Sequence, residues 1–178
     1  MLEPSDEAYE AVLSLRVVRA FRSDPIPRAD VDAILQAGRW TGSSKNRQGW
    51  GLVVIDDRDG LELLASAGRF SDPIRAAAVA IALVKTAEGN DFDIGRLAQN
   101  LMLAAAARGV GSCPITLHDT ARSAEVLGLP DDAECHYAIA FGMPDEDREA
   151  SQRAARRDRG VAGRKPVEEI VRRGRWKT

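Results

Sequence analysis

One globular domain that mixes helices with strands is what the sequence predicts, and three observations predict it. The chain has 178 residues, within the roughly 100–200 residues of a single domain. Segments with apolar residues at i, i+3 and i+4 alternate with short, continuous apolar runs of strand length. Apolar residues make up 44% and charged residues 29%, a balance that supports a core and argues against disorder. A chain of this size buries about 70% of its unfolded surface, so no disulfide or metal staple is needed. The net charge of -2 argues against a dedicated nucleic-acid binder. Aromatics are only 5%, which predicts thin, Ala-lined helices or a core shared with another chain.

Ser5 or Asp6 caps a first helix that turns Tyr9, Val12, Leu13 and Leu15 inward. A second helix follows Pro25-Ile26-Pro27, with Val31, Ile34 and Leu35 on one face and Gly38 as its stop. The polar stretch Thr41–Gly49 reads as a loop leading into a strand over Gly51–Ile55, closed by a turn at Asp56–Gly60. A short helix from Leu61 to about Ala67 precedes an exposed segment around Phe70–Pro73. Ala76–Val84 is apolar throughout, which fits a strand covered on both faces. The longest helix is expected over Asp93–Arg108, with Ile94, Leu97, Ala98, Leu101, Met102 and Ala105 on one face and Gly109 at its end. A strand at Gly111–Ile115, a helix at Ala121–Leu127 and a strand at His136–Phe141 complete the apolar part.

Beyond Pro144 the character changes. Asp145–Gly160 is almost wholly charged or small and reads as a solvated helix or loop, acidic first and basic later, as suits a helix dipole. Pro166–Trp176 carries Val167, Ile170 and Val171 at helical spacing, then Trp176. Such an apolar face after a polar bridge suits packing on a partner subunit.

Cys113 and Cys135 sit in apolar runs without a Cys or His partner at zinc-site spacing, so two buried thiols in a reducing cytoplasm are expected and no metal. The acidic start lacks a signal-peptide core, and no apolar run approaches the ~20 residues of a membrane span. Catalytic side chains are scarce. The two histidines, His118 and His136, stand in no Ser/His/Asp or Cys/His pattern, and there is no G-x-G-x-x-G or Walker loop. Asp91 and Asp93 read as helix-start residues. This poverty suits a protein whose reactivity belongs to a cofactor.

Three features are positive. Arg16 and Arg19 stand three apart, able to bind phosphate oxygens by charge-assisted hydrogen bonds, though each alone is an ordinary surface charge. Ser43–Gln48 concentrates donors and acceptors in one loop, and Gly109–Thr116 puts tight backbone and a Pro after a helix, where amides could meet a flat heterocycle.

Taken in order, these features resemble the flavin-dependent nitroreductase family. Leu15-Arg16-Val17-Val18-Arg19-Ala20-Phe21 is similar to its Arg-Arg-Ser-Val-Arg-x-Phe motif, and Asp24-Pro25-Ile26-Pro27 to its Asp-Pro-Val-Pro run. Ser43-Ser44-Lys45-Asn46-Arg47-Gln48-Gly49-Trp50 resembles its Ser-x-x-Asn-x-Gln-Pro-Trp loop. Gln99-Asn100-Leu101-Met102-Leu103-Ala104-Ala105, then Gly109-Val110-Gly111, follows its long helix, and Arg164-Lys165-Pro166 with Glu168-Glu169 its terminal element. Leu15, Val17 and Leu117 stand where the family has Arg, Ser and Gly, and Gly42 and Gly49 where it has Pro.

The resemblance implies an α+β fold, a three-layer α/β/α sandwich with a mainly antiparallel central sheet. It implies residues 1–178 as a single domain, with 166–178 a C-terminal arm packing on the partner of an intertwined homodimer. It further implies FMN in the dimer interface. Arg16, Val17, Arg19 and Arg164 would lie at the flavin phosphate, Ser43, Ser44 and Asn46 at the ring, and Pro114, Ile115, Thr116 and Leu117 would approach the ring by their backbone. No catalytic side chain is implied, because the chemistry belongs to the flavin. The expected activity passes hydride from NAD(P)H through FMN to nitroaromatics, quinones or similar small acceptors. Two alternatives share the fold: a deazaflavin-dependent reductase, and a flavin-binding or regulatory protein with little turnover.

Overall fold

Four apolar runs become strands: β1 (Trp50–Ile55), β2 (Val79–Lys85), β3 (Gly111–Thr116) and β4 (Glu134–Gly142). They form one antiparallel sheet in the order β1-β2-β4-β3, with β1 and β3 at its edges. Around it stand α1 (Asp6–Ser14), α2 (Arg28–Arg39), α3 (Arg58–Ala65), α4 (Asp72–Ala76), α5 (Asp91–Ala106) and α6 (Thr120–Leu127). The structure, a computed structural model, describes residues 6–160 and 163–176. One unit runs to Asp145, and a second begins at Glu146.

Alternation along the central strands decides the layering. Successive side chains point to opposite faces. Ala80, Ala82, Ala138 and Ala140 therefore share one face with Cys113 and Ile115, packed against Leu61, Leu64 and Ile74 of α3 and α4. Val79, Ile81, Leu83, Ile139 and Phe141 share the other with Ile34 of α2 and Leu97, Leu101 and Ala105 of α5. The registers Ala80↔Ala140, Ala82↔Ala138 and Ile81↔Ile139 stack small against small and large against large. One face is thus nearly flat and admits close helices, while the other supplies bulk. The result is the α+β three-layer arrangement with an antiparallel sheet that the resemblance implies. Both faces of β2 are covered, as its uninterrupted apolar run predicts.

Helix ends follow local chemistry. Asn90 Oδ1 accepts the Asp93 N–H at 2.9 Å and caps α5, and Gly109 takes the left-handed conformation beyond its end. Asp119 caps α6 through the Arg122 N–H at 2.9 Å, and Gly128 closes it with φ 62°.

Several expectations need correction. Tyr9, Val12 and Leu13 do not turn inward: they are 63%, 55% and 48% exposed, and α1 buries no residue. Ser5 lies outside the described residues. Gly38 does not stop α2, which continues through Arg39; it is buried at a helix contact instead. Asp56–Gly60 is not a closing turn, because Asp57 Oδ1 accepts the Gly60 N–H at 2.7 Å and starts α3 three residues earlier than predicted. The segment Phe70–Pro73 is not uniformly exposed. Ser71 is buried, its Oγ donating to Ala65 O at 2.6 Å, and Pro73 and Ile74 bury their side chains in α4.

In the second unit the charged stretch is helical, α7 (Glu146–Asp158), with Glu146, Asp147 and Glu149 in its first turn and Arg156 and Arg157 in its last. Arg153 and Arg156 approach the Glu149 carboxylate at 3.8 and 3.7 Å. A single turn, α8 (Val167–Ile170), starts from Pro166, and the Arg172 guanidinium lies 5.5 Å from the Trp176 ring centre.

Candidate functional site

The first group of predicted site residues gathers along edge strand β3. The N–H of Val18 donates to Ser112 O at 2.9 Å, and a β-carbon at Gly111 would meet Val18 Cγ1 at 2.8 Å. Arg16, Val17 and Arg19 are therefore held beside the start of β3. The Arg16 guanidinium donates to Leu13 O at 2.5 Å and Leu15 O at 2.8 Å at the end of α1. It is exposed, and among the described residues no carboxylate pairs with it.

Ladder phase fixes how β3 presents its backbone. Leu117 N–H donates to His136 O at 2.8 Å, so residues 113, 115 and 117 bond inward to β4. Ser112, Pro114 and Thr116 accordingly turn their backbone groups outward. Proline is tolerated at such a position because its absent N–H would face off the sheet. The outward carbonyl of Thr116 meets the α3–α4 connection, where a β-carbon on Gly68 would lie 3.3 Å from Thr116 O. Ile115 and Leu117 are buried in the Ala-lined core, whereas the Pro114 and Thr116 side chains are exposed. Contrary to what the resemblance implies, Ile115 and Leu117 thus do not approach a ligand by their amides, because both face β4 and the Leu117 N–H is spent on His136 O.

The second group, Ser43, Ser44 and Asn46, sits at the other edge of the sheet. This loop enters β1, and Thr86 N–H donates to Gly49 O at 3.2 Å. It is tied to α5: Ser44 N–H to Asp93 Oδ2 at 3.4 Å, Arg96 Nη1 to Gly42 O at 2.6 Å, and Asn100 Nδ2 to Thr41 Oγ1 at 2.9 Å. Ser43 Oγ accepts the Gln48 N–H at 2.9 Å, so this side chain staples the loop. Lys45, Asn46 and Gln48 all have φ near 53°, with right-handed Arg47 between them, a set of left-handed non-glycine residues that ordinarily marks a constrained functional loop.

Three strand spacings, about 14 Å, separate β1 from β3. One chain therefore does not bring the two groups together: a phosphate-and-amide half lies at β3 and a polar-loop half at β1. Arg164, in the second unit, donates through Nη1 to Gly163 O at 3.1 Å.

Several residues near these halves make contacts that the sequence does not show. Asp93 does more than start a helix, since its buried carboxylate accepts from Asn90 Nδ2 at 2.7 Å and from the loop. His118 Nδ1 accepts the Arg69 N–H at 3.3 Å, and its ring meets exposed Phe70 edge-on at 6.2 Å. His136 Nε2 lies 2.9 Å from Glu134 Oε2, and Glu134 also pairs with Lys85 at 2.6 Å. The hydrogen bond from Lys85, then that from His136, holds the Glu134 carboxyl down to about 2. Cys113 and Cys135 are both buried, as expected, and are not joined in a disulfide. Among the described residues there is no cluster fit to hold a metal ion, and no helix is long and apolar enough to cross a membrane.

FMN needs cations for a phosphate and amide donors for a flat ring. Exposed Arg16 beside the start of β3 and the outward Thr116 amide at its end supply both kinds of group, so the residues present fit it.

Comparison with known proteins points the same way. The sequence profile of the Nitroreductase family matches residues 14–88 and 71–143. A NADPH-flavin oxidoreductase of Vibrio harveyi is 27% identical over 168 residues, covering 83% of this chain and 70% of the relative. Nitroreductase A from Vibrio parahaemolyticus superposes with a TM-score of 0.84 at 24% identity, covering 98% of this chain and 78% of that one. A Desulfovibrio desulfuricans structure in complex with FMN gives 0.81 at 24% identity, covering 98% and 100%.

Proposed function

The chain belongs to the nitroreductase family, and from that premise we propose that it is an FMN-dependent NAD(P)H oxidoreductase working as a homodimer. The observation that carries this reading is exposed Arg16 beside the start of edge strand β3 together with the outward amide of Thr116 at its end. The name of the Vibrio harveyi relative and the FMN held by the Desulfovibrio structure support the cofactor and the donor. When bound, FMN takes hydride from a reduced nicotinamide and delivers it to a nitroaromatic, quinone or similar small acceptor.

The chain's own part is binding and electrostatics. Arg16 and Arg19 would hold the phosphate by charge-assisted hydrogen bonds, and the resemblance assigns Arg164 to the same group. Val17 lies between them and contributes backbone. The Thr116 amide donates at the ring edge, where negative charge gathers on reduction, and Pro114, Ile115 and Leu117 set the strand that aims it. Ser43, Ser44 and Asn46 of a second copy close the ring from the other side, since within one chain they stand at the opposite edge of the sheet. Exposed Tyr9, Val12 and Leu13 on α1 form an apolar face that a second copy would cover. Residues 1–178 act as one domain in this reading, with 166–178 as the arm on the partner. Two buried thiols not joined in a disulfide suit a cytoplasmic setting.

The test is an absorption spectrum of the protein as purified, with mass identification of the molecule released on denaturation. Bound FMN that is bleached anaerobically by NADH or NADPH is expected. Colourless protein that takes up no FMN in titration overturns the reading. Uptake of a deazaflavin in its place indicates the related reductase class, and bound FMN that neither nucleotide reduces indicates a binding protein.

A further inference from the structure

Tyr137 and Thr116 are cross-strand partners on β4 and β3. Because Leu117 and His136 form the neighbouring hydrogen-bonded contact, the 116–137 pair is of the non-hydrogen-bonded kind, in which side chains stand closest. Both side chains lie on the face of the sheet that α2 and α5 cover. Further along that face Ile139 and Phe141 are fully buried, but Tyr137 is 44% exposed. Pro114 and Thr116 are exposed beside it. The helices therefore stop short of one corner and leave a shelf of Pro114, Thr116 and Tyr137.

An irregularity in β4 puts the tyrosine there. Leu83 pairs with Tyr137 and Val84 with Cys135, so His136 is an extra residue opposite no residue of β2. Residues two apart on a regular strand share a face. Cys135 instead packs in the Ala-lined core while Tyr137 faces the other way. The bulge separates them.

We propose that Tyr137 is a cofactor-contacting residue, its ring packed against the flavin that the Thr116 amide orients. This rests on the FMN reading given above and adds to it a binding residue that no motif marks. A flat ring seated by the outward amide of Thr116 borders the side chain paired with Thr116, and Tyr137 presents an aromatic body with an electron-rich phenol. Such a phenol quenches flavin emission by lending an electron to the excited ring and regaining it, with no net chemistry. A phenylalanine keeps the packing surface but does not do this.

The experiment compares FMN-loaded wild type, Tyr137→Phe and Tyr137→Leu by flavin emission lifetime and by FMN titration, with circular dichroism to verify folding. Wild type should hold strongly quenched FMN. Tyr137→Phe should bind nearly as tightly and emit several-fold more, and Tyr137→Leu should emit more and bind up to about tenfold more weakly as aromatic contact is lost. Identical lifetimes and affinities in all three proteins, with FMN bound, overturn the proposal and leave the FMN reading standing; the shelf is then covered by something other than the flavin. A wild type that takes up no FMN removes both, and is read before any variant is made.

Discussion

Gly38 on α2 faces Leu101 on α5 so closely that a β-carbon at position 38 would lie 2.7 Å from Leu101 Cδ2. Leu101 is fully buried and has no solvent side to retreat to. The α2–α5 layer therefore depends on the missing side chain. Alanine at an ordinary helix position gains about 1 kcal/mol over glycine, whereas overpacking a filled core costs about 1–3 kcal/mol. Gly38→Ala is expected to be destabilising on balance, by roughly 1 kcal/mol, and Gly38→Val more so. Urea midpoints measure this; a more stable Gly38→Ala would mean that Leu101 has room to move.

This contact also shows what the sequence discloses. A glycine near the end of a periodic segment reads as a stop, because one-dimensional pattern carries helix phase but not the distance to the next helix. Strands and long helices were legible for the converse reason: the β2 run and the face from Ile94 to Ala105 encode burial directly. The helix α4 has a single sequence signal, Pro73 in its first turn, and is too short to show an apolar period. The apolar face of α1 reads as inward because periodicity marks a face for burial without saying against which surface. Among site residues, Ser43–Asn46 and Pro114–Leu117 were recognisable as segments. Their standing on opposite edges follows from the strand order, and Tyr137 from one extra residue in β4.

Asp93 couples the cap of α5 to the loop. Its carboxylate accepts from Asn90 Nδ2 and from Ser44 N–H, so Asp93→Ala removes both contacts. A loss of about 1–2 kcal/mol in stability is expected from the cap and hydrogen bonds together, with weaker FMN uptake. Urea titration and FMN titration read the two effects separately. Unchanged FMN affinity would show that the loop holds its left-handed residues without Asp93.

Acid should weaken the sheet end where Glu134 meets Lys85 and His136. The folded carboxyl is held to about 2, below its ordinary 4.5. A lowered carboxyl pKa contributes stability that is complete above the unfolded value and lost as pH falls through the folded one. The slope is therefore expected between pH 4.5 and about 2. Glu134 is half exposed, so screening keeps the effect small and salt should reduce it further. Melting temperatures of wild type and Glu134→Gln across this window test it, and parallel profiles would exclude Glu134 as a contributor.

Both thiols should be silent in the folded protein. Burial pushes the Cys135 thiol up to about 11, and Cys113 is only 2% exposed. A thiol reagent at mildly alkaline pH should label neither residue until denaturant is added, and then both. Rapid labelling of either in native buffer would show that β3 or β4 opens locally, with consequences for the amide of Thr116.

The division of the site between two edges leads to the sharpest prediction. Arg16→Glu reverses the charge in the β3 half, and Ser44→Tyr crowds the β1 half; both positions are exposed, so both variants should fold. Each variant homodimer carries two damaged sites and should take up no FMN. After subunit exchange of an equal mixture, half of the dimers are mixed by chance. In a mixed dimer with two-fold symmetry, one site collects both substitutions and the other collects neither. About a quarter of the wild-type number of FMN sites should therefore return. Were each site built within one chain, every site would keep one damaged half and none would return. Sedimentation of the same mixture checks that dimers exist to exchange, so full exchange without FMN uptake would overturn the shared site itself.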